Sequence, residues 1–498
     1  MNKSIVLLSA STLMLSACAT VPEPFTAAEL STTAERNFAQ VDVDQEPISA
    51  PIDLYEAMAR ALKYNLDYKV ELMEIALRDR DLDLQRYDML PQLVASAGYA
   101  GRNNFSGASS LSLITQRQSL EPSTSQERDL FTADLSLSWD VLDFGLSYVR
   151  AKQGADEVLI AQERRRKVAN RVIEDVRSAY WRAVSAERLL TKLKELEGSV
   201  TTTLENSERL ASRRLSAPLT ALTYQRELLE IQSEIRKLQR ELVIAKSQLA
   251  ALMNLRPGTQ FSLVLPDRSE QLPEVKYPGE DMMMTALVNR PELREVSYRQ
   301  RINSRELDAA LLSALPSFRG ILGVNVDSND FLFNNNWVNY GARASWNVLN
   351  LFRLPAHERA VRAQEELLDQ RELALTMAVI TQVHVARARF SHLSKELETA
   401  GKQMGVQSKI MDQIRAGHRT GVMSRQTLLR EEMNTLVSEV KYDIAFAEAQ
   451  NAYANLFASM GVDEFSPDVT GREDVATLQA SLAQLWRDRE ESVRLSGQ

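Results

Sequence analysis

The residues able to do chemistry are few, and their spacing does not suit it. His357, His384, His392 and His418 show no metal-ligand spacing, and there is no His-Glu-x-x-His. Asp79, Asp81 and Asp83 alternate as the ligands of a calcium loop would. Such a loop needs Gly where Leu84 stands and Glu where Leu90 stands, and the pattern is helical, so the three read as a solvated face. A single cysteine, Cys18, excludes thiolate zinc sites and any disulfide within the chain. No phosphate-cradling glycine loop or nucleophile–base constellation is present. The reading expects no enzyme, no cofactor and no metal. A net charge of −8 with interspersed signs leaves no basic footprint for nucleic acid. With 498 residues, 44% apolar and 25% charged, the composition is that of a folded chain.

Cys18 is the exception. Residues 1–17 hold Lys3, an apolar run from Ile5 to Leu15 and small residues at the end, the pattern of a secretory signal. The run is too short to span a bilayer, which takes about 20 residues. Leu15-Ser16-Ala17-Cys18 resembles the lipobox of bacterial lipoproteins. That resemblance implies cleavage before Cys18 and acylation of its thiol and amine, palmitate included. Ala19, in place of an Asp, then points to the outer membrane. The alternative is an ordinary signal peptide with a cysteine at its end. Acyl chains attach a protein to a leaflet without threading it through. No later stretch reads as a transmembrane helix, so any spanning falls to strands.

The elements come in two sets. Arg80-Asp81-Leu82-Asp83 reappears as Arg305-Glu306-Leu307-Asp308, and Leu90-Pro91 as Leu315-Pro316, at an offset of 225. Trp139, Val141 and Leu142 reappear as Trp346, Val348 and Leu349, and Leu249, Ala251 and Met253 as Leu456, Ala458 and Met460, at an offset of 207. The offset changes once, between Pro91 and Trp139. Length changes are tolerated at loop tips, so a loop lies there and is longer in the first half. The reading divides the chain into a signal peptide (1–17), a lipidated extended segment (18–50), a first repeat (51–265), a linker (266–280), a second repeat (281–463) and a C-terminal polar tail (464–498).

Around each loop the hydrophobic period becomes 2. Phe131, Ala133, Leu135, Leu137 and Trp139 alternate with Thr132, Asp134, Ser136, Ser138 and Asp140, and Val338, Tyr340, Ala342, Ala344 and Trp346 alternate likewise. This predicts four strands with one apolar face, at about 92–104, 130–142, 317–327 and 337–348. About ten residues is the length of a tilted strand in a membrane barrel. Trp139 and Trp346 fall at equivalent strand ends, where an aromatic girdle would lie. A soluble sheet under a helix layer is the alternative for one strand pair; two equivalent pairs beside a lipidation signal argue against it. Four strands close no membrane barrel. Two copies give eight strands and three give twelve, and strand number alone does not choose.

Between Pro122 and Pro218, and between Pro355 and Pro467, there is no proline. A helix from about Ser147 to Ser212 would run roughly 95–100 Å. Leu228, Ile231, Ile235, Leu238, Leu242, Ala245, Leu249 and Leu252 form a heptad seam, and its counterpart is richer in alanine (Ala445, Ala449, Ala452).

This plan resembles the TolC family of outer-membrane channels over roughly Ile52 to Val462. Gly421-Val422-Met423-Ser424-Arg425-Gln426-Thr427-Leu428-Leu429 is similar to the family's turn Gly-Val-x-Ser-x-x-Asp-Val-Leu. Asn289-Arg290-Pro291-Glu292-Leu293 is similar to its Asn-x-Pro-x-Leu. The resemblance implies a mainly α chain with a small membrane β part: long antiparallel coiled-coil helices, and four strands contributing to a twelve-stranded barrel in a homotrimer. It implies a periplasmic adaptor protein and an inner-membrane transporter (of the RND or ABC type) as partners, an outer-membrane lipid environment, and passive conduction of exported substrates. The body would lie in the periplasm, anchored at Cys18. Many members carry Asp where Thr427 stands and another acid where Arg430 stands, and the repeat-equivalent positions are Thr220 and Thr223. The family's aspartate ring is therefore not carried over. A gate at the periplasmic end is expected to use Arg430 with Glu431 or Glu432; a surface ion-pair cluster is the alternative. The lipobox favours drug or metal efflux over a type I protein-secretion channel. The rival from another class is a periplasmic coiled-coil lipoprotein or adaptor with no pore, which leaves the strand pairs unexplained.

Overall fold

A computed structural model describes residues 23–41, 45–119, 121–213, 218–266, 278–462 and 473–495. Cys18 lies outside them. Four strands form one antiparallel sheet in the order β1 (Gln92–Gly101), β2 (Asp129–Asp140), β3 (Ser317–Asp327), β4 (Asn336–Ser345). The register places like on like: Leu93 opposite Leu137, Leu137 opposite Leu322, and Leu322 opposite Tyr340. Leu135 and Val324 pair in the same way, so one face is apolar across all four strands. A slip of one residue in any pair would put serines and aspartates on that face. The edges, β1 and β4, have no partner strand among the described residues. The long loop, 102–128, belongs to the first half and the short one, 328–335, to the second.

The rest is helical: α1 (Ala27–Gln40), α2 (Leu54–Tyr64), α3 (Leu66–Tyr87), α4 (Val141–Ser212), α5 (Pro218–Leu252), α6 (Gly279–Asn289), α7 (Pro291–Ser313), α8 (Leu349–Arg419), α9 (Arg425–Met460) and α10 (Val475–Leu495). The α4 helix has 72 residues, about 108 Å at 1.5 Å each. It starts six residues before the expected Ser147 and ends at the expected Ser212. The Asp140 carboxylate accepts the N–H groups of Leu142 (2.9 Å) and Asp143 (3.3 Å), capping the helix at the end of β2. Pro355 lies inside α8, where it removes one backbone bond from a helix of 71 residues. No helix among the described residues is long and apolar enough to cross a membrane.

The heptad seam of α5 packs on α4, with Leu228, Ile235, Leu238 and Leu242 buried against Leu189, Leu193, Leu196 and Val200. Leu429, Met433, Leu436 and Val440 of α9 join the same core. Lys246 to Glu187 (2.7 Å) and Arg236 to Glu197 (3.0 Å) keep α4 and α5 in register. A second core gathers α2, α10, the middle of α4 and the C-terminal half of α9 around Tyr180, Trp181 and Phe446.

Two segments differ from the sequence reading. The extended segment at 18–50 contains α1, a helix started by a reciprocal capping box between Thr26 and Glu29. The tail at 464–498 contains α10, whose Val475, Leu478, Leu482 and Trp486 are buried. Its spacing of 3, 4 and 4 is an amphipathic stripe inside a charged composition. Glu46 accepts the Val475 N–H (3.2 and 3.3 Å), so α10 is capped by a residue more than 400 positions away.

Charged residues lock α7 onto α4. Asp156, buried, is held by Arg301 and Arg305. Glu295 meets Lys167 (2.9 Å), Arg299 (2.9 Å) and Arg164 (3.3 Å). Burial alone would raise the Glu295 carboxyl; the hydrogen bonds from Lys167 and Arg299 and the charges of Lys167 and Arg164 outweigh it and hold it at about 2. Because the folded value lies below the unfolded one, near 4.5, the stabilisation is complete above about pH 4.5. It is withdrawn as the pH falls toward 2. Glu295→Gln is expected to lose roughly 1.5–3 kcal/mol at neutral pH and to flatten the fall in stability over that window. Urea midpoints measured from pH 7 down to 3 check this; parallel wild-type and variant curves would count against it.

Candidate functional site

Two regions carry the candidate functional side chains, at opposite ends of the long helices. At the sheet end, the face opposite the apolar one is polar. Ser96 donates to Asp134 (2.6 Å), Arg319 pairs with Asp140 (3.4 Å), and Asn325 donates to Asn339 (2.6 Å). Trp139 and Trp346, both half exposed, mark the inner margin of the apolar face. Trp139 packs edge-on against Phe144 at 5.7 Å, and the Trp346 indole N–H donates to the Ala314 carbonyl at 2.9 Å. An amphipathic ring with its polar atom tied inward suits a membrane–water boundary.

At the other end, α8 turns into α9. Gly421 adopts φ +74°, a left-handed conformation that costs a residue bearing Cβ about 1–2 kcal/mol. A Cβ at Gly421 would meet nothing within 4 Å, so conformation alone makes the demand. The Val422 and Met423 N–H groups both donate to the Gly417 carbonyl (2.9 and 3.1 Å), and Ser424 caps α9 by accepting the Thr427 N–H (3.0 Å). Gly421→Ala is expected to lower stability by about 1 kcal/mol without altering helix content; a thermal midpoint equal to wild type would show that the turn relaxes at no cost.

The residues singled out for this end do not form one cluster. Arg430 and Gln426 of α9 both reach Glu227 on α5. Glu431 points the other way and accepts from Gln407 of α8 (2.8 Å). The Thr427 hydroxyl lies 2.9 Å from Ser424 within the cap. The Thr223 hydroxyl folds back onto the Leu219 carbonyl (2.9 Å), and Thr220 is exposed. Thr220 and Thr223, with Thr202 and Asn206 of α4 and Arg425 and Gln426 of α9, line a cleft of about 1200 Å³ that Leu210, Leu219 and Tyr224 also border. The residue missed by the sequence reading is Glu227. Its signal was its place one heptad after Thr220, on the same face of α5.

The fold matches solved outer-membrane channels. A structure of CusC superposes with TM-score 0.62 at 17% identity, covering 85% of this chain and 96% of that one. The Campylobacter jejuni CmeC outer membrane channel gives 0.64 at 14% identity, covering 94% and 98%. The open state of the Neisseria gonorrhoeae MtrE outer membrane channel gives 0.61 at 17% identity, covering 89% and 98%. No curated protein matches the chain by sequence. A four-stranded sheet with one apolar face on antiparallel helices of some seventy residues defines the class as a TolC-like outer-membrane channel fold. Residues 57–255 match the family model of outer membrane efflux proteins. That match spans the first of the two repeats, and the fold of the whole chain is the one the solved channels share.

Proposed function

We propose that this chain is the outer-membrane channel of a tripartite efflux system, working as a homotrimer. It conducts substrates passively from a periplasmic adaptor and an inner-membrane pump, with no catalytic step of its own. One observation carries the reading: an apolar face continuous across four strands whose outer edges are unpaired among the described residues. In lipid each unpaired backbone group costs several kcal/mol, so the edges must pair with those of sister copies. Three copies supply twelve strands. The helices extend about 108 Å from the sheet, a length suited to crossing a periplasmic space. An acylated Cys18 would add an anchor in the outer membrane. The test is reconstitution in planar bilayers beside a gel of unheated and boiled protein. A heat-resistant oligomer with single-channel steps is expected; a monomer that produces no steps would refute the channel.

The closed end is assigned to the helix tips, with the Arg430–Glu227 pair joining α9 to α5. Half-exposed ion pairs contribute about 0–1 kcal/mol, so Arg430→Ala leaves the fold intact and isolates the gate. Raised closed-state conductance is expected. If that conductance and the voltage response match wild type, Arg430 takes no part in gating.

A further inference from the structure

The polar face of the sheet is built mostly from short side chains. Ser96 and Gly98 of β1, Ser136 and Ser138 of β2, Gly323 of β3 and Gly341 of β4 all lie on it. The larger apolar exceptions are Ile321 and, at the loop end, Trp337. The four strands hold two cations, Arg319 of β3 and Arg343 of β4, and both are on this face. The register sets them directly opposite each other. On the other flank of Arg319 is Asp140, so one row across the sheet reads Asp140, Arg319, Arg343. This row lies where β2 passes into α4, at the helical end of the sheet.

Like charges directly opposite each other on two strands destabilise the pair. Arg319 is compensated, with Asp140 at 3.4 Å and Asp143 at 3.9 Å. Arg343 is exposed and makes no ion pair or hydrogen bond among the described residues. The other carboxylates of the polar face, Asp134 and Asp327, stand further along their strands toward the loops. At about 3.4 Å per residue they are roughly 20 and 27 Å from the row. Neither packing nor pairing within the chain calls for a cation at Arg343.

We propose that Arg343, with Arg319 beside it, forms a selectivity ring in the pore, which draws in solutes bearing carboxylate, phosphate or sulfate groups. The proposal rests on the oligomeric channel reading above and adds the substrate class. Lipid takes the apolar face of a barrel, so the polar face lines the bore. Twelve strands about 4.8 Å apart, tilted by some 40°, enclose a bore roughly 24 Å across between backbones. Three copies place three Arg343 and three Arg319 at one level of it, among walls of serine and glycine. Fixed charge on a low-dielectric wall focuses the field into the bore and concentrates counter-ions there. Rings of charged side chains set the sign of solute that a pore prefers. The Debye length is about 10 Å at 0.1 M salt and about 3 Å at 1 M, so the ring acts across the bore only at the lower salt.

The test is block of single-channel current by tripolyphosphate in planar bilayers holding the native chain, Arg343→Gln or Arg343→Lys. In 0.1 M KCl the native channel is expected to be blocked. The half-blocking concentration should rise about tenfold for Arg343→Gln and stay close to native for Arg343→Lys, which keeps the charge. In 1 M KCl the three should coincide. Native channels that conduct without block, equal half-blocking concentrations for native and Arg343→Gln in 0.1 M KCl, or a lysine variant as weak as the glutamine one each overturn the ring and leave the channel standing. A native chain that yields no single-channel steps overturns the channel reading, and the ring with it. Should Arg343→Gln fail to assemble, the native chain decides alone: a half-blocking concentration unchanged between 0.1 and 1 M KCl overturns the ring.

Discussion

A chain carrying Leu135→Arg is expected to fold its helical body and fail to assemble into a heat-resistant oligomer. Leu135 lies near the middle of β2, opposite Ala95 on one side and Val324 on the other, within the apolar face. An arginine on the lipid face near the bilayer midplane costs about 2–4 kcal/mol. A ring of three copies incurs that cost three times. The neighbouring Ser136→Arg is the control, because its side chain points to the polar face beside Val94 and Gly323 and has water to reach. Oligomer fraction and single-channel steps should both collapse in the first variant and persist in the second. The reverse pattern would mean that the faces have been assigned the wrong way round.

Asp156→Ala is expected to destabilise the helical body by roughly 3 kcal/mol, the lower end of the range for removing one partner of a buried ion pair. The carboxylate is almost wholly buried and takes both Arg301 and Arg305. Arg301 is half exposed and can turn to water, which holds the cost at that lower end; Arg305, less exposed, loses its main partner. Apolar replacement of the whole group, Asp156→Leu with Arg301→Met and Arg305→Leu, is expected to restore most of the loss, since no charge is then left without a partner. Denaturant midpoints of the helical signal in detergent check both variants. A wild-type midpoint for Asp156→Ala would show that the cluster contributes nothing to stability.

Much of the fold was legible because its patterns are local. Alternation over ten residues around Leu135 reports a strand and its two faces whatever lies beside it. The heptads of α5 report a coiled-coil partner in the same way. The repeat placed the loops by the single change in offset. Helix α10 was not legible as a docked element, since its short apolar stripe runs straight into the charged stretch 487–494 and its cap, Glu46, is supplied from the other end of the chain. Among the residues proposed for the gate, Arg430 was found from its departure from a family pattern, whereas Glu227, its partner, was marked only by heptad position.

The sequence by itself determined the kinds of element, their order, their duplication and which strand face avoids water, because each follows from side-chain periodicity along a continuous stretch. The tertiary structure decided which stretches meet: Asp156 with Arg301 and Arg305, Glu227 with Arg430, and α10 with α2. Such pairings depend on how helices of some seventy residues run beside one another once the sheet has set their starting points. A charge or a leucine on a helix surface has the same local pattern whether its partner is near, distant in the chain or on another copy.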